Sequence, residues 1–144
     1  MSISLKKGQK VDLTKNNASL NKIVVGLGWD PVKKEAGFFG KLMGGSKNAA
    51  VDVDASAIML AGNGKLIKND DLIYFGNLKH YSGSIEHHGD NLTGDGDGDD
   101  EQISVILNKI PAEIGKVVFV VNIYDCQKRN QHFGMIQNAF IRIV

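Results

Sequence analysis

At 144 residues and 42% hydrophobic side chains, the chain suits one domain (1–144) with its own core and is too short for two ordinary ones. A formal net charge of +1 gives no general attraction to nucleic acid or to an anionic membrane. Cys126 is the only cysteine, which excludes an intramolecular disulfide and a thiolate zinc cluster and fits a reducing cytoplasm.

The N-terminal MSISLKKGQKVDL carries lysines with no apolar run behind them. No stretch approaches the roughly 18 apolar residues of a membrane span, so a cytoplasmic protein is expected. Seventeen glycines against two prolines, among short apolar or alternating runs, predict a mostly β fold of many strands and tight turns. Ile23–Leu27 reads as a buried strand. Residues 31–50 break the texture with four lysines around Phe38, Phe39, Leu42 and Met43 and read as an insertion loop, with room for one amphipathic turn.

Val51 to Leu60 reads as a second strand, with Val51, Val53, Ala55, Ala57 and Met59 on one face and Asp52, Asp54 and Ser56 on the other. The Gly62-Asn-Gly64 turn and the run Leu72–Phe75 predict a hairpin partner for it. Ser84–His88 and Gln102–Leu107 flank an acidic segment, and Val117–Tyr124 and Ala139–Val144 supply two more apolar strands.

The acidic segment is locally unbalanced: seven of the 16 acidic residues lie between Glu86 and Glu101, and no Lys or Arg occurs between Lys79 and Lys109. From Gly89 to Glu101, carboxylates alternate with glycines, which lets a backbone curl so that several oxygens converge on one point. Two carboxylates about 5 Å apart repel by about 3 kcal/mol at an effective dielectric near 20, so a compact loop calls for a cation. Irregular oxygen ligands on a glycine-rich loop favour calcium over magnesium, which demands near-octahedral geometry. Zinc or copper would want histidine or thiolate. Adjacent His87 and His88 point to opposite faces of a strand, which suits ordinary surface or hydrogen-bonded residues better than a paired site.

This loop is not an EF-hand. A pattern begun at Asp95 puts Asp100 where the tight-turn glycine belongs and Ile106 where the bidentate glutamate belongs. Nor is it a β-helix array, which needs stacked copies. It must be completed from elsewhere, and Asp52 and Asp54, two apart on a strand, are the candidates, with Asn77 offering a neutral oxygen. Their plain alternative is the solvent face of that strand. The predicted ligand set is therefore Asp52, Asp54, Asn77, Asp90, Asn91, Asp95, Asp99, Asp100 and Glu101, with Asp125 a weaker strand-end candidate.

Other chemistries fail on spacing. Gly26-Leu-Gly28 begins like a dinucleotide fingerprint but meets Pro31 where the third glycine belongs, and Gly40 with Gly45 is followed by Ser46-Lys47, the reverse of a phosphate-binding loop. Cys126 and His132 lie six apart without an orienting group, so no catalytic residue is expected.

VGLGWD (Val25 to Asp30), DVDASAIML (Asp52 to Leu60), GDNLTGDGDGDDE (Gly89 to Glu101) and FGMIQNAFIRIV (Phe133 to Val144) occur in this order. Together they resemble the TerD family of bacterial tellurium-resistance and general-stress proteins, over nearly the whole chain. The resemblance implies a β-sandwich of two sheets, calcium bound by acidic loops at one end, and a role in resistance to tellurite and other chemical stress. On it, Asp90, Asn91, Asp99, Asp100 and Glu101 match the acidic metal motif, and Asp52 and Asp54 match the strand motif DxDAS. Two features depart from the family pattern: a longer, more apolar loop at 36–48, and an end at Val144 where family members continue for several strands and a helix. The shortened end is expected to leave a sheet edge or core face open for self-association or for protein partners in a stress-response complex.

The expected function is a non-enzymatic calcium-binding scaffold of the stress response. The alternatives are a metal-dependent enzyme acting on oxyanions or phosphorylated substrates, and a calcium-dependent membrane-surface adaptor using Lys33, Lys34, Lys41 and Phe38–Met43.

Overall fold

A computed structural model describes residues 4–15, 17–31, 50–94 and 98–144 of the chain. The strands are β1 (Lys22–Pro31), β2 (Val53–Ala61), β3 (Leu72–Ile73), β4 (Ile85–His87), β5 (Glu101–Ile106), β6 (Ile114–Ile123) and β7 (Ile136–Ile143). A one-turn helix, α1 (Cys126–Arg129), separates β6 from β7. The fold is a mostly β sandwich of two antiparallel sheets, one ordered β4-β5-β1-β7 and the other β3-β2-β6. The predicted insertion loop falls, from 32 to 49, outside the described residues, as does Asp95.

Side-chain alternation explains the core. Val53, Ala55, Ala57 and Met59 point inward from β2 and meet Ile73 of β3, while Leu27 and Trp29 of β1, Ile85 of β4, and Ile103 and Val105 of β5 come from the opposite sheet. Asp52 and Asp54 alternate with these residues as expected, yet they are not a solvent face: they are only 4% and 3% exposed. On that side Asp52 meets Arg129 and Asp54 meets Asn122.

The hairpin after β2 is present, though longer than a tight turn. Gly64, at φ 78°, closes the turn by donating its N–H to Ala61 O at 2.8 Å, and only then does β3 pair through Ala57↔Ile73 and Ile58↔Leu72. The turn into β4 is closed by a buried polar relay. His80 Nε2 lies 3.2 Å from Asp71 Oδ1, and its Nδ1 lies 2.7 Å from Ser82 Oγ.

Among the described residues strand β7 pairs only with β1 and forms an edge, and Phe140, Ile141 and Ile143 along it are all at least 40% exposed. Cys126 is half-buried and packs against the core, whereas His132 accepts a hydrogen bond from its neighbour Gly134 N–H.

Candidate metal centre

Short β3 leaves a gap that the acidic residues fill. Pairing with β3 stops at Ala57, and at Ala55 the β2 backbone is met by side chains from the other sheet. Ala55 N–H donates to Glu101 Oε2 at 2.7 Å, and Ala55 O accepts from His87 Nε2 at 3.2 Å. His87 Nδ1 accepts from Gly89 N–H, so the ring proton sits on Nε2 and faces Ala55. Buried strand polar groups are thus satisfied across the sandwich. The first residue of β5 is thereby fixed against β2.

The loop between β4 and β5 is pinned to β1. Trp29 N–H donates to Asp100 Oδ2 at 2.8 Å, Asp100 N–H donates to Leu27 O at 2.8 Å, and the Trp29 indole N–H donates to Val51 O at 3.1 Å. A Cβ at Gly26 would overlap the Asp99 carboxylate, which is why a bare backbone stands at that point of β1. Asn91 Oδ1 accepts from the N–H groups of Thr93 and Gly94, and its Nδ2 donates to Asp100 Oδ1 at 2.9 Å. Asn91 and Asp100 therefore build the loop.

Within this frame one oxygen each from Asp52, Asp54 and Asp90 lies within 4.8 Å of the others. Asp52 and Asp54 are buried and Asp90 is exposed, so the group opens to solvent through Asp90. A depression lined by His88, Asp90, Asp99, Asp100 and Gln102 adjoins it. Such a set can hold a metal ion. Asp52 Oδ1 is a buried oxygen with no hydrogen-bond partner among the described residues, and an unpaired buried carboxylate oxygen is the atom a cation would satisfy. Oδ2 of the same residue lies 3.3 Å from Arg129 Nη1. Asp54 Oδ2 accepts from Asn122 Nδ2 at 3.1 Å.

The electrostatics agree with the geometry. Burial, and then the charges of Asp52, Glu101 and Asp90, push the Asp54 carboxyl up to about 6 against the opposing hydrogen bond from Asn122. Asp90 is raised in the same way, first by burial and then by Asp52 and Glu101. Burial also raises Asp100, opposed by the Trp29 N–H.

The remaining predicted ligands are engaged elsewhere. Asp99 accepts from Arg142 Nε at 2.8 Å and Nη2 at 3.1 Å and from Gln102 Nε2 at 3.0 Å. The Asn77 side-chain amide donates to Leu72 O at 2.8 Å and braces the end of β3. Asp125 pairs with Lys128 at 3.4 Å. Sequence reasoning singled out neither Arg129 nor Arg142, which lie 77 and 43 residues from the carboxylates they meet. Only the scarcity of positive charge near the acidic loop hinted that neutralisation must come from afar. Among the described residues, no helix is long and apolar enough to cross a membrane.

The TerD domain matches residues 1–144. The chain is 62% identical to stress response protein SCP2 of Bacillus subtilis (strain 168), over 100% of this chain and 71% of that protein. It is 47% identical to general stress protein 16U of the same organism, over 100% of this chain and 69% of that one. Tellurium resistance protein TerD of Serratia marcescens is 44% identical, over 100% of this chain and 69% of its own length. Among solved structures, a TerD homologue, SCO6318 from Streptomyces coelicolor A3(2), superposes with a TM-score of 0.66 at 20% identity, covering 87% of this chain and 66% of that one. The protein SAV2460 superposes with a TM-score of 0.67 at 22% identity, and the chain spans 65% of its length. At those identities the two structures speak for the fold alone, whereas the domain match and the close relatives decide the family: the chain belongs to the TerD family.

Proposed function

We propose that this protein is a calcium-binding module of the bacterial stress response, acting in resistance to tellurite and other chemical stress by binding and scaffolding rather than by catalysis. One observation carries the reading. One oxygen each from Asp52, Asp54 and Asp90 lies within 4.8 Å of the others, and Asp52 Oδ1 is buried with no hydrogen-bond partner among the described residues. An all-oxygen donor set on loop and strand suits a hard cation, and the irregular loop favours calcium over magnesium. Asp52, Asp54 and Asp90 would hold the ion, and Glu101 adds negative potential beside them. The names of the relatives, which are stress-response and tellurium-resistance proteins, support the cellular role. The single unpaired cysteine is in keeping with a cytoplasmic location. Exposed apolar residues on the edge strand β7 support a protein partner, with a second copy of this chain as the simplest one.

Calorimetric titration of chelator-stripped protein tests the central claim. Calcium should bind and raise the melting temperature; at a hundredfold excess over Kd, linkage adds about 2.7 kcal/mol of stability. Neither heat nor a melting shift with calcium, or an equal response to magnesium, defeats the assignment. Sedimentation velocity tests self-association, and a monomer at all concentrations refutes it.

A further inference from the structure

The cluster carries its own counter-charge. Arg129, the last residue of α1, sets Nη1 3.3 Å from Asp52 Oδ2, while its guanidinium lies 5.0 Å from the centre of the Tyr124 ring. Tyr124 in turn packs edge-on against Phe75 at 5.6 Å. The two partners differ in freedom: the Asp52 side chain is 6% exposed and that of Arg129 is 35% exposed. The guanidinium can leave for water, and the carboxylate cannot. Lys128 pairs with Asp125, and Arg142 pairs with Asp99. Among the described residues, Arg129 makes the one ion pair to the three-carboxylate group.

Resting on the cation-site reading above, we propose that Arg129 is an internal counter-ion that holds Asp52 Oδ2 in the cation-free protein and against whose charge a divalent ion must bind. It acts on the site in two opposed ways. By holding Oδ2 it leaves Oδ1, which has no hydrogen-bond partner among the described residues, free for a cation, which favours binding. By its charge it repels an incoming cation. The second effect wins, because without the guanidinium Asp52 stays buried and its backbone stays held by the bond from Tyr124 N–H to Asp52 O at 2.9 Å. The repulsion has no such substitute. At the dielectric of bulk water and before screening by salt, a unit charge about 6 Å from a divalent charge opposes it by about 1.4 kcal/mol, roughly tenfold in affinity. Arg129 therefore sets the affinity and narrows the difference in stability between the empty and loaded protein.

The test titrates calcium into chelator-stripped wild type, R129Q and R129K by calorimetry and melts each protein in EDTA. R129Q should bind calcium roughly tenfold tighter and melt lower than wild type in EDTA. R129K, which keeps the charge, should stay within about threefold of wild type. A variant that folds only with calcium present is the extreme form of this result, and its affinity is then read by competition with a chelator. If wild type binds calcium but R129Q binds equally or more weakly, or melts no lower in EDTA, the counter-ion role is refuted while the cation site stands. If wild type binds no calcium, the site itself fails and Arg129 with it.

Discussion

Asp54→Asn is the sharpest probe of the carboxylate group, because it moves the empty and loaded protein in opposite directions. Asp54 is 3% exposed, and its carboxyl is raised from an ordinary 3.8 to about 6 by burial and by Asp52, Glu101 and Asp90. That difference of about two units corresponds to about 3 kcal/mol of unfavourable energy for the ionised group at neutral pH. Asparagine is nearly isosteric: its carbonyl can still accept from Asn122, and its amide can donate to the neighbouring carboxylates. The metal-free variant should gain up to about 3 kcal/mol, or about 6–12 °C in melting temperature for a domain of this size. The sign with pH follows. A carboxyl raised in the folded state contributes stability that is complete below its ordinary value and lost as pH rises through about 6. Metal-free wild type should therefore gain about 1.4 kcal/mol from this group between pH 7.5 and pH 5. D54N should lack that increment, and it should also lose most of the calcium-dependent rise in melting temperature. Differential scanning fluorimetry in EDTA and in calcium, at both pH values, reads all of these effects. A D54N protein that melts below wild type in EDTA at pH 7.5, or that keeps the full calcium increment, would refute the reasoning.

Calcium affinity itself should fall as pH drops below about 6, close to tenfold per unit while one proton competes for Asp54, and a flat profile by calorimetry counts against that carboxylate as a ligand. Glu101→Gln keeps an acceptor for the Ala55 N–H and should leave metal-free stability within about 1 kcal/mol while weakening calcium binding. Glu101→Ala strands that buried N–H and should cost about 1–3 kcal/mol by urea denaturation; equal stability of the two variants would dissociate Glu101 from the β2 backbone. Gly26→Ala drives a methyl into the Asp99 carboxylate, so chemical denaturation should report a loss of about 1–3 kcal/mol.

Much of the fold was legible because alternation leaves a local trace. The five apolar positions from Val51 to Met59 announced a strand, the glycine pair at 62 and 64 announced its turn, and the acidic segment was placed between two strands, where it lies between β4 and β5. Strand ends were less legible: Leu72–Phe75 shrinks to the two residues of β3, since Tyr74 and Asn77 turn back on each other. That brevity decides the site, because it leaves Ala55 to be met by Glu101 and His87 from the other sheet.

Composition and spacing alone determined a mostly β chain with an oxygen-rich loop beginning at Asp90, and they offered Asp52 and Asp54 as candidates to complete it. Ligand types and periodicity are properties of neighbouring residues, so a sequence displays them directly. Which carboxylates meet was decided only by the tertiary structure. Asp90 joins Asp52 and Asp54, whereas Asp99, in the same loop, is drawn away to Arg142 and lies over the bare backbone of Gly26. Burial of the Asp52–Asp54 face and its neutralisation by Arg129 are likewise long-range facts, since α1 reaches that carboxylate from 77 residues away. Charge pairing depends on distance through space, and chain separation carries almost no record of it.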